Sequence, residues 1–242
     1  MKSTLHPATT GRRARAPNHD AREHLLDAAT ALFAERGVAN TTVAQIAAAA
    51  GVTSAMVHYW FQTRARLLDA VVEERVARAF VAVWDPVDPA DDAPLAQTQG
   101  IVRRMFDVTE KLPWLPSLWL REIVNEGGLL RERAFRHIPV KKVQGFGLSV
   151  ARAKARGELN AQIDPMLLFS SILALVMLPL ATAKIWQRLS QPASFDRANL
   201  EHHVMALLVH GLSGNRAPAA LAAAPTAHAR NTPARQPLRK SL

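Results

Sequence analysis

The sequence of 242 residues has no cysteine, which excludes a disulfide framework and any thiolate metal site. Such a chain suits a reducing compartment, and a cytoplasmic location is expected. Strand-like alternation of apolar and polar residues is also missing. The first residues do not read as a secretory leader, because their charges are not followed by an apolar stretch and a small-residue cleavage site. No nucleophile motif, phosphate-binding loop or HExxH pattern occurs, so an enzyme is not expected. His202 and His203 are adjacent and point to different helix faces, and no spacing matches a ligand set. Neither a metal nor a cofactor is expected.

Acidic residues are missing from both ends. Residues 1–18 carry Lys2, Arg12, Arg13 and Arg15, a charge of +4. Residues 213–242 carry Arg216, Arg230, Arg235, Arg239 and Lys240, a charge of +5. Of the formal +10, only +1 therefore remains for residues 19–212. We expect a disordered basic arm over 1–18 and a disordered tail, rich in Ala, Pro and Arg, over 214–242. Basic tails attract phosphates without reading bases, so the charge alone does not establish DNA binding.

Between the tails, hydrophobic spacing is helical almost throughout, and hydrophobic residues are 49% of the chain, enough for a sizeable core. The first helix is expected over Asp20–Arg36, where Leu25, Ala29, Leu32 and Phe33 form one buried stripe before Gly37. Thr41 and Thr42 offer caps for a helix over Val43–Ala50. Gly51 permits the turn that ends it. Thr53 or Ser54 can cap a short helix to Trp60, and a fourth follows over Thr63–Trp84, ending in a Pro/Asp-rich loop. Further helices are expected over Leu95–Leu112, Pro116–Asn125, Leu129–Arg156, Pro165–Leu189 and Phe195–Leu212. Pro139 and the Gly145/Gly147 pair are places where the long middle helix can bend or divide.

The uncharged stretch Pro165–Ala183 is at the short edge of membrane-spanning length. It lacks aromatic belts and a basic loop, so it reads as a buried interface helix, with no membrane partner.

The informative stretch runs from Thr41 to Leu68. It combines a small-residue helix, a glycine turn and a second helix with a polar start. Alanines at 47–50 allow close helix approach, as a helix-turn-helix requires. The second helix, Thr53–Trp60, would place its first residues in a major groove. Trp60 and Phe61 read as its anchoring face, and Ile46, Val52 and Val57 as core.

This stretch resembles the TetR (tetracycline-repressor-like) family. The matching residues are Phe33 and Gly37, then Thr41, Thr42, Val43, Ile46, Ala47, Ala50, Gly51, Val52 and Thr53, then His58, Tyr59, Trp60, Phe61, Thr63 and Leu67. Two positions depart from the family pattern: Arg64 stands where Lys is usual, and His58 where Tyr is commoner. The resemblance implies an all-α chain with a three-helix helix-turn-helix domain at 19–65. A larger helical domain at 66–213 would bind ligand and dimerise. It implies phosphate contacts from Thr42, Thr53, His58, Tyr59 and Arg64, and base-edge contacts from Ser54, Ala55 and Met56. The implied partners are a double-stranded DNA operator, a second copy of the chain and a small-molecule effector.

For the effector, Phe106, Trp119, Glu122 and Phe146 are candidate contacts, although each aromatic reads more readily as plain core. Glu122 and Glu126, one turn apart, can be a salt-bridged face or a polar anchor in a pocket. For the dimer, Phe169, Leu173, Val176 and Leu180 on one helix and Leu200, Val204, Leu207 and Leu208 on the next are the candidates. The implied function is repression relieved by the effector. An architectural DNA-binding protein, or an interaction module that kept the fold, are the rival readings.

Overall fold

The computed structural model describes residues 17–88, 90–189 and 196–213. The tail expected over 214–242, and all but the last residues of the arm expected over 1–18, lie outside the described residues. Within them every regular element is helical.

The chain opens with α1 (Pro17–Arg36), α2 (Val43–Ala49) and α3 (Ser54–Phe61). α1 buries Leu25, Leu26, Ala29 and Phe33 completely, a stripe at helical spacing. Full burial of each leucine and of Phe33 contributes about 1.5–3 kcal/mol. The helix then stops at Gly37, whose φ of +85° favours a residue without a Cβ. α2 begins with a reciprocal cap. The Thr42 hydroxyl accepts from the Gln45 amide at 3.2 Å, and the Gln45 side chain accepts from the Thr42 amide at 2.8 Å.

A continuous rod follows: α4 (Arg64–Val71), a π-helical turn π1 (Val72–Val76) and α5 (Ala77–Trp84). The rod crosses the domain boundary expected between residues 65 and 66. At π1 it is clamped to α1 by ion pairs. Glu74 pairs with Arg22, and Arg75 reaches Glu23 at 3.0 Å and Asp27 at 2.9 Å.

The larger half contains α6 (Pro94–Lys111), α7 (Leu115–Leu118), a second π-helical turn π2 (Trp119–Val124), α8 (Arg131–Phe135) and α9 (Val140–Ala155). It is completed by α10 (Pro165–Ala181), α11 (Ala183–Leu189) and α12 (Arg197–Leu212). α6 packs on α5, α9 and α12, and α10 packs on α6, α7, α9 and α12. One hydrophobic cluster runs from Leu25 in α1 to Leu212 in α12, so the two halves share a core.

Two expected helices are each divided. The helix expected over Leu129–Arg156 breaks before Pro139, which lacks an amide hydrogen; Gly145 and Gly147 are accommodated inside α9 and buried. The helix expected over Pro165–Leu189 breaks at Thr182. Its hydroxyl donates to the Leu178 carbonyl at 2.7 Å and accepts from the Trp186 indole at 2.9 Å. No helix of the described residues is long and apolar enough to cross a membrane.

Within one subunit, the residues expected at the dimer interface differ in burial. Val176, Val204 and Leu208 are buried against their own subunit. Leu180 and Leu200 are half-buried against the same core, and Phe169 and Leu173 face a cavity described below. Of that set only Leu207 is exposed. The free apolar stripe of α10 is instead Leu167, Ala174 and Leu178, continued by Ile185 and Trp186 on α11. Because α10 is apolar all round, hydropathy cannot separate its core face from its free face.

Candidate nucleic-acid interface and effector cavity

α2 and α3 meet through a tight C-terminal cap. The Val52 amide donates to Ala47 O at 2.9 Å and the Gly51 amide to Ala48 O at 3.2 Å, with Gly51 at φ +69°. That geometry sets the angle at which α3 leaves α2. Ile46 and Ala47 of α2, and Val57 and Phe61 of α3, are buried against α1 and α4.

The opposite face of α3 is free. Thr53, Ser54, Ala55, His58 and Tyr59 are exposed, with Tyr59 66% accessible, and Met56 is half-buried. Tyr59 stands edge-to-face on Trp60, ring centroids 5.1 Å apart, which limits its swing. Thr53 occupies the N-cap of α3 without a side-chain capping bond, so its hydroxyl is uncommitted. Thr42 is exposed too. Its oxygen accepts from Gln45, while its proton remains free to donate. α3 closes at Gln62, a non-glycine residue at φ +58°, and Thr63 then caps α4.

Arg64 is placed differently from the phosphate contact expected of it. Its terminal nitrogens donate to the carbonyls of Thr41, at 2.6 Å, and Val38. It therefore ties the α1–α2 loop to the first turn of α4. Of the eight residues expected to contact DNA, Thr42, Thr53, Ser54, Ala55, His58 and Tyr59 are exposed and Met56 is half-buried, while the Arg64 guanidinium is engaged by backbone carbonyls.

The larger half holds a cavity of about 70 Å³ between α5, α6, α7, π2 and α10. Its walls include Phe80, Trp84, Trp119 and Phe169, with Met105, Leu173 and Met177. Phe80 meets Trp119 edge-on at 5.8 Å, and Trp84 meets Phe169 at 4.7 Å. The Thr109 hydroxyl in the wall already donates to the Met105 carbonyl at 2.9 Å, and no charged side chain lines the space.

Of the residues expected to contact an effector, Trp119 lines this cavity. Phe106 and Phe146 do not: both are completely buried in the core, Phe146 lying behind Trp84. Glu122 is 5% exposed and turns away from the cavity toward backbone amides. Sequence reasoning missed Phe80, Trp84 and Met177 as lining residues. Their periodicity is that of core, and nothing local distinguishes a core side chain from one beside a void. Among the described residues no group of three or more His, Asp and Glu side chains is placed to hold a metal.

Residues 25–71 match the model of the bacterial regulatory proteins, tetR family. The chain is 34% identical over 89 residues to the HTH-type transcriptional repressor KstR2 of Mycobacterium tuberculosis. That match covers 37% of the chain and only 44% of KstR2. Against the HTH-type transcriptional regulator TtgR of Pseudomonas putida it is 36% identical over 165 residues, covering 63% of the chain and 75% of TtgR. Among solved structures, the fold is similar to that of the transcriptional regulator FadR of Bacillus subtilis, solved in complex with stearoyl-CoA. The TM-score is 0.58 at 18% identity, covering 78% of the chain and 98% of FadR.

Proposed function

Because the chain belongs to the tetR family of bacterial regulatory proteins, we propose that it is a dimeric, sequence-specific transcriptional repressor of the cytoplasm, released from its operator by a small apolar effector. The observation that carries this reading is the free face of α3. An uncommitted Thr53 hydroxyl stands at the helix N-terminus, Tyr59 is exposed within the same helix, and Thr42 caps the neighbouring helix. Hydroxyls and helix N-termini are suited to phosphate oxygens, and they fix register on the duplex. Ser54, Ala55 and Met56 then lie where base edges would pass. Ala55 and Met56 suit thymine methyl groups rather than hydrogen-bonded readout. His58 supplies a further phosphate contact. Arg64 contributes by holding the α1–α2 loop, so that Thr42 keeps its place.

Dimerisation through α10, α11 and α12 would set two α3 helices one helical turn of DNA apart. The free stripe of Leu167, Leu178, Ile185, Trp186 and Leu207 supports a second copy as the partner, since a face this apolar is unfavourable in water.

The effector class follows from the cavity wall. Aromatic and aliphatic side chains with no charged group favour an uncharged apolar molecule. Drug-sized ligands occupy about 300–1,000 Å³, so the present cavity must widen to admit one. A ligand that stabilises the widened arrangement shifts the population toward it, and DNA affinity falls if that arrangement misplaces α3.

The test is a fluorescence-anisotropy titration of the full chain against duplex from the region upstream of its gene, with scrambled duplex as control, at physiological salt. Tight binding to the first alone, lost in Thr53→Ala plus Tyr59→Ala, is the expected result. Equal binding to both with a steep salt slope would make the protein an architectural DNA binder. No binding to either would leave an interaction module.

A further inference from the structure

Glu122 is a buried carboxylate whose partners lie far apart in sequence. Its Oε1 accepts from the Val38 amide at 2.8 Å, and its Oε2 from the Leu129 amide at 3.1 Å. Val38 belongs to the loop between α1 and α2 and is completely buried. Leu129 follows π2. One side chain therefore pins the DNA-binding half to the effector half.

Both sides of this joint are built to fit. Gly37 lies so close that a Cβ there would come 3.1 Å from Glu122 Oε1. Gly128 lies closer still, where a Cβ would collide with the Glu122 carbonyl oxygen. The carbonyl of Val38, on the far side of the same peptide segment, accepts from Arg64. The loop leading to Thr42 is thus held by a carboxylate from π2 on one side and by a guanidinium from α4 on the other.

The cavity begins three residues before Glu122, at Trp119. Both residues sit on π2, whose hydrogen bonds skip one residue further than those of an α-helix. Such turns are rare and frequently occur at functional sites. A change in the Trp119 ring that shifts the turn moves the Glu122 carboxylate with it. An amide left without its acceptor in a dry site is disfavoured strongly enough to alter how the loop is held.

We propose that Glu122 is a positioning residue that couples the cavity to the DNA-binding surface by holding or releasing the Val38 amide. The proposal rests on the reading of the chain as an effector-responsive DNA-binding protein, and it assigns the joint through which that response passes. It needs no effector to be tested, because Ala79 lines the cavity and Ala79→Leu fills it from within.

The experiment uses the full chain. Amide hydrogen exchange at Val38 is measured in the natural protein and in Ala79→Leu. Affinity for the upstream duplex is measured in the natural protein, Ala79→Leu, Glu122→Gln and the double variant. The expected result is faster Val38 exchange in Ala79→Leu and about a fivefold or greater loss of duplex affinity, a loss that shrinks below about twofold in the Glu122→Gln background. Unchanged Val38 exchange in Ala79→Leu overturns the proposal, as does the same fold-loss in both backgrounds or none in the first. If the chain shows no preference for the upstream duplex, the repressor reading fails instead. The exchange arm, which needs neither DNA nor the Glu122 variant to fold, still decides the joint.

Discussion

Arg64, at the start of α4, donates to the carbonyl of Thr41 at 2.6 Å and so meets the residue that immediately precedes the α2 cap. A second donor of the same guanidinium takes the Val38 carbonyl. The fork shape of the group is what allows both carbonyls to be met at once, so lysine is not equivalent here. Hydrogen bonds to charged groups are worth about 1.5–3 kcal/mol. We expect Arg64→Lys to lower stability by about 1–2 kcal/mol and Arg64→Ala by about 2–3 kcal/mol in urea denaturation. A value near zero for both would show that the brace carries no weight.

The glycines at 37 and 51 both adopt the left-handed backbone, but only one is crowded. Gly37→Ala must accept a φ of +85° and a contact of 3.1 Å with Glu122 Oε1, whereas nothing lies within 4 Å of a Cβ at Gly51. The conformational cost, about 1–2 kcal/mol, is common to both substitutions. Gly37→Ala is therefore expected to be the more destabilising, by about a further 1 kcal/mol, in parallel thermal melts. Equal losses would mean that the Glu122 side chain yields without cost.

The Arg22–Glu74 pair joins α1 to π1 and makes stability depend on pH. The hydrogen bond from Arg22 holds the Glu74 carboxyl below its usual range, an effect that burial only partly opposes. A carboxyl depressed in the folded state contributes stability that is present above the ordinary glutamate range, about pH 4.3, and is lost as pH falls through the folded value. Glu74→Gln should flatten that part of the acid-unfolding curve relative to the natural protein. Retention of the full acid slope in this variant would assign the effect to other carboxyls.

The free and buried faces of α10 and α12 should separate association from folding. Leu178→Asp, on the free stripe, is expected to yield a folded monomer in sedimentation analysis. Val204→Asp, at a site 1% exposed, is expected to unfold the chain, because an unpaired buried charge costs several kcal/mol. Dimers that persist in Leu178→Asp would exclude this face as the interface.

Much of the DNA-binding half was legible because its signals are local. Thr42 caps α2, Gly51 makes the turn, and the apolar spacing of α1 gives its buried stripe, each within a few residues of sequence. The helical class was legible for the same reason, since a period of 3.6 is a property of neighbours along the chain. The break before Pro139 was legible as a place where the long middle helix can divide, since a missing amide hydrogen is a local property, but the break at Thr182 was not, because a threonine inside an apolar run is compatible with a continuous helix.

Signals between near neighbours along the chain account for its all-helical class, for the helix-turn-helix near its start and for the polar side of α3. Those outcomes need only periodicity, capping and turn chemistry. The tertiary structure alone decided that Glu122 faces Val38 across 84 positions rather than a ligand, and that Arg64 braces a loop. It also decided which apolar side chains border a void and which face of α10 stays free. Each of these is a contact between residues distant in sequence, set by how whole helices pack, and residue type along the chain does not encode which distant surface a given face will meet.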